Sequence, residues 1–204
     1  MKIKNLVFDM GNVLIQFQPD LYLSTWVPEP EDRALLKKQV FQSVEWIRID
    51  HGTLTETEAV TRCCQRLPER LHGAAAKLFA EWSAISPAIP GMEALIRKAK
   101  EQGYRIYLLS NTNVRYHDFR VKLPAIDCFD GEFISADWKM LKPDLSIYQT
   151  FLTHFSLQAE QCIFVDDTPQ NVYAAQRAGM EAIVFHGDAA ELRQELRKYG
   201  VDLS

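Results

Sequence analysis

Three short apolar runs, each ending abruptly in polar residues, constrain this fold more than any other feature. Leu6-Val7-Phe8 ends in Asp9, Tyr104-Arg105-Ile106-Tyr107-Leu108-Leu109 ends in Ser110-Asn111, and Gln161-Cys162-Ile163-Phe164-Val165 ends in Asp166-Asp167. Runs this short and this rich in strand formers read as buried parallel strands. Asp130 to Ser135 and Glu181 to Phe185 read as two more strands. Between them the apolar spacing turns helical. Met92 to Gln102 follows Pro90-Gly91 and stops at Gly103, Leu145 to Phe155 follows Pro143, and Pro169 to Ala178 is closed by Gly179. Asp188 to Tyr199 is the last helix. Strand and helix in alternation predict an α/β fold, a doubly wound parallel sheet with helices on both faces.

Residues 17–87 are different. Asp20 to Trp26, Glu31 to Val44 and Leu71 to Ser83 have helical spacing, and Thr55 with Glu58 forms a capping box that starts a helix through Arg66. Asp50 to Thr55 reads as a loop, and no strand occurs. The expectation is a core built from 1–16 and 88–204, with a small helical cap, 17–87, inserted after the first strand. A length of 204 residues suits that plan. The net charge of −4, without a long basic run, excludes nucleic acid and anionic membranes as expected partners. No apolar stretch reaches the ~18 residues of a membrane span. The N-terminus reads as mature cytoplasmic sequence. Cys63, Cys64, Cys128 and Cys162 form no C-x-x-C pair and read as reduced, mostly buried thiols.

In a parallel sheet the carboxyl ends of all strands lie on one edge. Asp9, Ser110-Asn111 and Asp166-Asp167 therefore converge. Carboxylates brought together repel unless a cation or proton separates them. Mg²⁺, a hard cation that takes oxygen ligands, is the economical answer. Lys142, ahead of the Leu145 helix, can add positive charge for a phosphate, and Ser110 and Asn111 suit phosphate oxygens. Each residue also has an ordinary role open to it: Ser110-Asn111 and Asp166-Asp167 as helix caps, Asp9 as a turn former, Lys142 as a surface lysine.

The pattern Phe8-Asp9-Met10-Gly11-Asn12-Val13-Leu14, then Leu109-Ser110-Asn111-Thr112, then Lys142-Pro143-Asp144, then Phe164-Val165-Asp166-Asp167-Thr168-Pro169-Gln170-Asn171 resembles the haloacid dehalogenase-like hydrolase superfamily over nearly the whole chain. Within it, the Asp-x-Gly-Asn opening and the Leu-Ser-Asn-Thr-Asn string are similar to the α-D-glucose-1-phosphate phosphatase group. The resemblance implies a Rossmann-like core with a helical cap. It also implies a phosphatase acting on a small phosphorylated metabolite such as a sugar phosphate. Asp9 would be the nucleophile that forms an aspartyl-phosphate. Asp9, the Gly11 carbonyl and Asp167 would hold Mg²⁺, with Asp166 and Asn171 in support. Ser110, Asn111 and Lys142 would bind the phosphoryl group, and Lys142 would also orient Asp9. A monomer or weak dimer is expected.

Gly11 departs from the usual pattern, in which a second Asp at that position protonates the leaving oxygen. Its absence implies a slower enzyme, a good leaving group, or an acid from elsewhere, with Glu45, Asp50 and His51 as candidates. Arg115, Tyr116 and His117 follow the Ser110 loop and could reach substrate. Two other readings stay open. A haloacid dehalogenase would use Asp9 and Lys142 on carbon without a metal, and a weakly active regulatory or scaffold protein would suit the missing Asp.

Overall fold

The computed structural model describes residues 2–203, apart from the side chain of residue 85. Five strands form one sheet: β1 Asn5–Phe8, β2 Arg105–Ser110, β3 Gly131–Ile134, β4 Cys162–Asp166 and β5 Glu181–Val184. All pair in parallel, in the order β3-β2-β1-β4-β5. This is the predicted doubly wound α/β sheet. The chain runs outward one way through β2 and β3, then returns to lay β4 and β5 on the other side of β1. Such a reversal leaves a crevice beyond the carboxyl ends of β1 and β4, where open α/β sheets bind ligands.

Alternation along each strand feeds two apolar layers. Leu6, Phe8, Ile106, Leu108, Ile163 and Val165 pack on one face with Met92, Leu95, Ile96, Leu192 and Leu196. Val7, Tyr107, Leu109 and Phe164 pack on the other with Ile147, Tyr148, Phe151 and Val172. Both faces are covered, which is why the strands read as continuous apolar runs.

Residues 19–85 are helical, with no strand among them. Their apolar side chains, including Tyr22, Leu36, Val40, Trp46 and Phe79, continue the first of those layers. The Thr55–Glu58 capping box is present in both directions and opens the helix Glu56–Cys64. One expectation is corrected. The single helix expected from Glu31 to Val44 is instead Pro30–Leu36, a π turn Lys37–Phe41, and a new helix Val44–Asp50. Ser43 causes the break: its Oγ accepts from Trp46 N at 3.1 Å, a cap that starts a helix rather than continuing one. Asp50 therefore closes a helix and does not open a loop. All four cysteines are free thiols. No helix among the described residues is long and apolar enough to cross a membrane.

Candidate active site

Phe8 pairs with Leu108 on one side and with Val165 on the other, so Asp9, one residue on, comes level with Asp166, and Ser110 lies one residue beyond. Asp9 follows β1 directly, and its N–H donates to Val165 O at 2.9 Å, carrying the ladder one residue further. Asp166 is the last residue of β4, and Asp167 begins the turn into the helix Pro169–Arg177. One carboxylate oxygen from each of Asp9, Asp166 and Asp167 lies within 4.8 Å of the others.

Lys142 enters this cluster from the loop before the helix Leu145–His154. Its Nζ lies 2.9 Å from Asp9 Oδ1 and 2.6 Å from Asp166 Oδ2, and donates to Leu109 O at 3.0 Å. All three partners are buried around it. Burial alone would lower its pKa, but Asp9 and Asp166 outweigh that and hold it above the usual lysine value. Asp9 is pushed up to about 6: burial raises it most, Lys142 pulls against that, and Asp166 adds to the rise.

Asp166 is fully buried and fully engaged. Thr168 N–H donates to its Oδ1 at 2.8 Å, and Asn171 Nδ2 donates to both oxygens at 3.1 Å. Asp167 accepts from Asn12 Nδ2 at 3.0 Å. Asn12 adopts φ 54°, the left-handed turn that brings its side chain round to Asp167.

Ser110 is buried beside Asp9 and favours its charged form by hydrogen bonding. Asn111 lies differently from what a phosphate ligand would suggest. Its Nδ2 donates to Lys142 O and its Oδ1 accepts from Lys142 N, both at 2.9 Å. Its carboxamide thus fixes the Lys142 loop against β2.

Asp9, Met10, Gly11, Asn12, Asn111, Thr112, Asp167 and Thr168 form one side of a cavity of about 200 Å³. Phe17, Trp46, Trp82 and Asp50 form the other. The three aromatic rings also pack on one another, with centroids 5.3–6.2 Å apart. They are at once wall and core.

The other sequence candidates point elsewhere. Glu45 is paired through both oxygens with Arg66, at 3.1 and 2.7 Å, which holds its pKa down. The His51 ring lies 3.4 Å from Thr53 Oγ1. Arg115 pairs with Glu56 beside a wider cleft of about 570 Å³. Tyr116 donates to Glu132 at 2.7 Å, and His117 faces Asp137 at 3.0 Å. Sequence reasoning takes the Trp and Phe residues of 20–85 as core of the insertion, with a few facing the entrance, and does not say which. A signal for part of the wall exists: Trp46 and Asp50 stand four apart, on one face of the helix Val44–Asp50.

Three carboxylates gathered at the strand ends, two of them buried and braced by one lysine, fit a known pattern, and the model of the haloacid dehalogenase-like hydrolases matches residues 3–179. The chain belongs to the haloacid dehalogenase-like hydrolases. This hydrolase is 30% identical to a sesquiterpene phosphatase of Aspergillus oryzae over 200 residues, covering 94% of this chain and 95% of that one. In fold it resembles a HAD-like family hydrolase from Porphyromonas gingivalis, with TM-score 0.72 at 22% identity, over 97% and 99% of the two chains. It also resembles a HAD family enzyme from Bacteroides thetaiotaomicron solved in complex with magnesium and inorganic phosphate. There the TM-score is 0.67 at 22% identity, over 93% and 98%.

Proposed function

We propose that this hydrolase is a Mg²⁺-dependent phosphatase that cleaves small phosphomonoesters through an aspartyl-phosphate on Asp9. The observation that carries the reading is the placement of Asp9. Its carboxylate ends the central strand, faces the cavity, and is braced by Lys142 at 2.9 Å. Lys142 holds one Asp9 oxygen and leaves the other to attack phosphorus. Attack splits one hard displacement into two easier ones.

The donor set fits a hard cation. Asp166 has no free oxygen, because Lys142, Asn171 and Thr168 occupy both. Asp9, the Gly11 carbonyl and Asp167 would then hold Mg²⁺, with Asp166 and Asn171 supporting them. When bound, the ion would neutralise charge on the transferring phosphoryl group. Ser110, Asn111 and Lys142 would shape the phosphoryl site, Asn111 by anchoring the Lys142 backbone.

The aromatic wall favours a leaving group with an apolar face. A sugar ring, as in glucose 1-phosphate, presents one, and so does an isoprenoid chain. A small phosphorylated metabolite, a monomer or weak dimer, a cytoplasmic location and residues 17–87 acting as a cap belong to the same reading. Dehalogenase chemistry would need Asp9 and Lys142 but no metal, leaving the elaborate support of Asp166 and Asp167 without a purpose.

Phosphate release from hexose phosphates, isoprenoid monophosphates and simple alkyl phosphates, with and without Mg²⁺, tests the proposal. Turnover that requires Mg²⁺ and vanishes in Asp9→Asn is expected. Chloride release from 2-chloropropionate without a metal would favour the dehalogenase. No turnover of any ester would favour the regulatory reading.

A further inference from the structure

Asp50 is a carboxyl in the cavity that the chemistry above leaves unused. Three acidic residues line that space: Asp9, Asp167 and Asp50. Asp9 is paired with Lys142, and Asp167 accepts from Asn12. Asp50 has no cation paired with it among the described residues. It lines the same cavity as Gly11, where the opening motif supplies no carboxyl.

Its place is fixed from outside its own helix. The Ser135 hydroxyl, just past β3, donates to Asp50 O at 2.6 Å and accepts from Thr112 N at 2.9 Å. One side chain therefore joins the Asp50 turn to the loop after β2. Gly52 packs so closely on Ala136 that a Cβ there would lie 2.2 Å from the Ala136 carbonyl oxygen. Glu56, four residues on, is tied to Arg115. Three contacts thus hold Asp50 against the strand ends.

We propose that Asp50 is the proton carrier of the phosphatase reaction, donating to the leaving oxygen from the helical insertion. The inference rests on the phosphatase reading. In the first step an Asp9 oxygen attacks phosphorus, the bond from phosphorus to the ester oxygen breaks, and that oxygen takes the Asp50 proton. The alcohol leaves, with aspartyl-phosphate on Asp9 and a carboxylate on Asp50. In the second step water attacks phosphorus as Asp50 takes its proton, and the bond to Asp9 breaks. Inorganic phosphate leaves, and both carboxyl groups return to their starting states. Burial raises the Asp50 pKa well above the ordinary carboxylate range, while the neighbouring polar groups of Asn113 and Trp46 offset part of that rise. A carboxyl so placed carries its proton closer to neutral pH, as a general acid needs.

A matched pair of esters tests this: 4-nitrophenyl phosphate, whose phenolate leaves unaided, and 4-nitrobenzyl phosphate, whose alkoxide needs a proton. Asp50→Asn keeps shape but cannot donate an acidic proton. It is expected to lower kcat/KM on the benzyl ester by about 10²–10⁴-fold and on the phenyl ester by less than about tenfold. Adding Gly11→Asp to Asp50→Asn is expected to restore part of the benzyl activity. A Cβ at position 11 meets Phe17 Cβ at 3.8 Å, ordinary van der Waals contact, so a side chain can start there without a clash. Equal losses on the two esters, or none on the benzyl ester, would overturn the proposal. Wild-type protein gives a reading that needs no variant to fold: the two esters should differ by less than about tenfold, and a gap of 10² or more would mean no acid is present. Wild type that hydrolyses neither ester with Mg²⁺ would overturn the phosphatase reading itself, a distinct failure.

Discussion

Asp9 is held at a cost to the fold, and that cost can be measured. Its carboxyl titrates near 6 in the folded chain against 3.8 for an ordinary aspartate, with burial the main cause. Between those values the native state binds a proton that the unfolded chain has lost, so stability falls as pH rises from about 4 to 6. Above 6 the full penalty applies; below 4 there is none. At about 1.4 kcal/mol per pH unit the penalty is on the order of 3 kcal/mol. Asn mimics the protonated form, and Lys142 keeps Asp166 at 2.6 Å as a partner. In EDTA at pH 8, Asp9→Asn should therefore melt above wild type by roughly 6–12 °C for a chain of this size. Near pH 4 the two should melt together. Thermal unfolding followed by intrinsic fluorescence at both pH values decides it. An Asp9→Asn protein less stable than wild type at pH 8 without metal would refute the reasoning.

Further outcomes follow from the same geometry. Lys142→Met leaves two buried carboxylates without a cation and should cost about 3–5 kcal/mol, read as a lower urea midpoint. Gly52→Ala combines φ 72° with a Cβ 2.2 Å from the Ala136 oxygen, so it should destabilise by about 1–3 kcal/mol in the same assay. Mg²⁺ at 100 times its Kd should stabilise wild type by about 2.7 kcal/mol and Asp167→Asn far less, as calorimetry would show.

Much of this arrangement was legible because strands carry a strict rule. Once Leu6-Val7-Phe8, Ile106 to Leu109 and Ile163 to Val165 are parallel neighbours, Asp9, Ser110 and Asp166 have to share an edge. No such rule covers the helical insertion. Glu45, Asp50 and His51 are three titratable residues within one short stretch, and composition cannot rank them. Docking ranks them: Arg66 takes Glu45, His51 turns outward, and Ser135, far along the chain, draws Asp50 to the cavity. The Asn111 carboxamide makes a contact that the sequence does not show, for a related reason. Its motif position suggests phosphate, and it also bonds the Lys142 main chain, a contact between segments that periodicity does not connect.

The Ser135 hydroxyl has one proton and two carbonyls within reach, Asp50 O at 2.6 Å and Thr112 O at 3.1 Å. If the Asp50 turn lifts away, the hydroxyl can rotate onto Thr112 and remain satisfied, while the freed Asp50 carbonyl meets water. Neither position strands a buried donor, the usual cost of breaking an internal contact. That hydrogen bond, one of three contacts at the joint, can therefore open and re-form without stranding a buried donor. If residues 17–87 act as a cap over the cavity, this contact would let them shift while the Asp9 N–H stays bonded to Val165 O at the strand end.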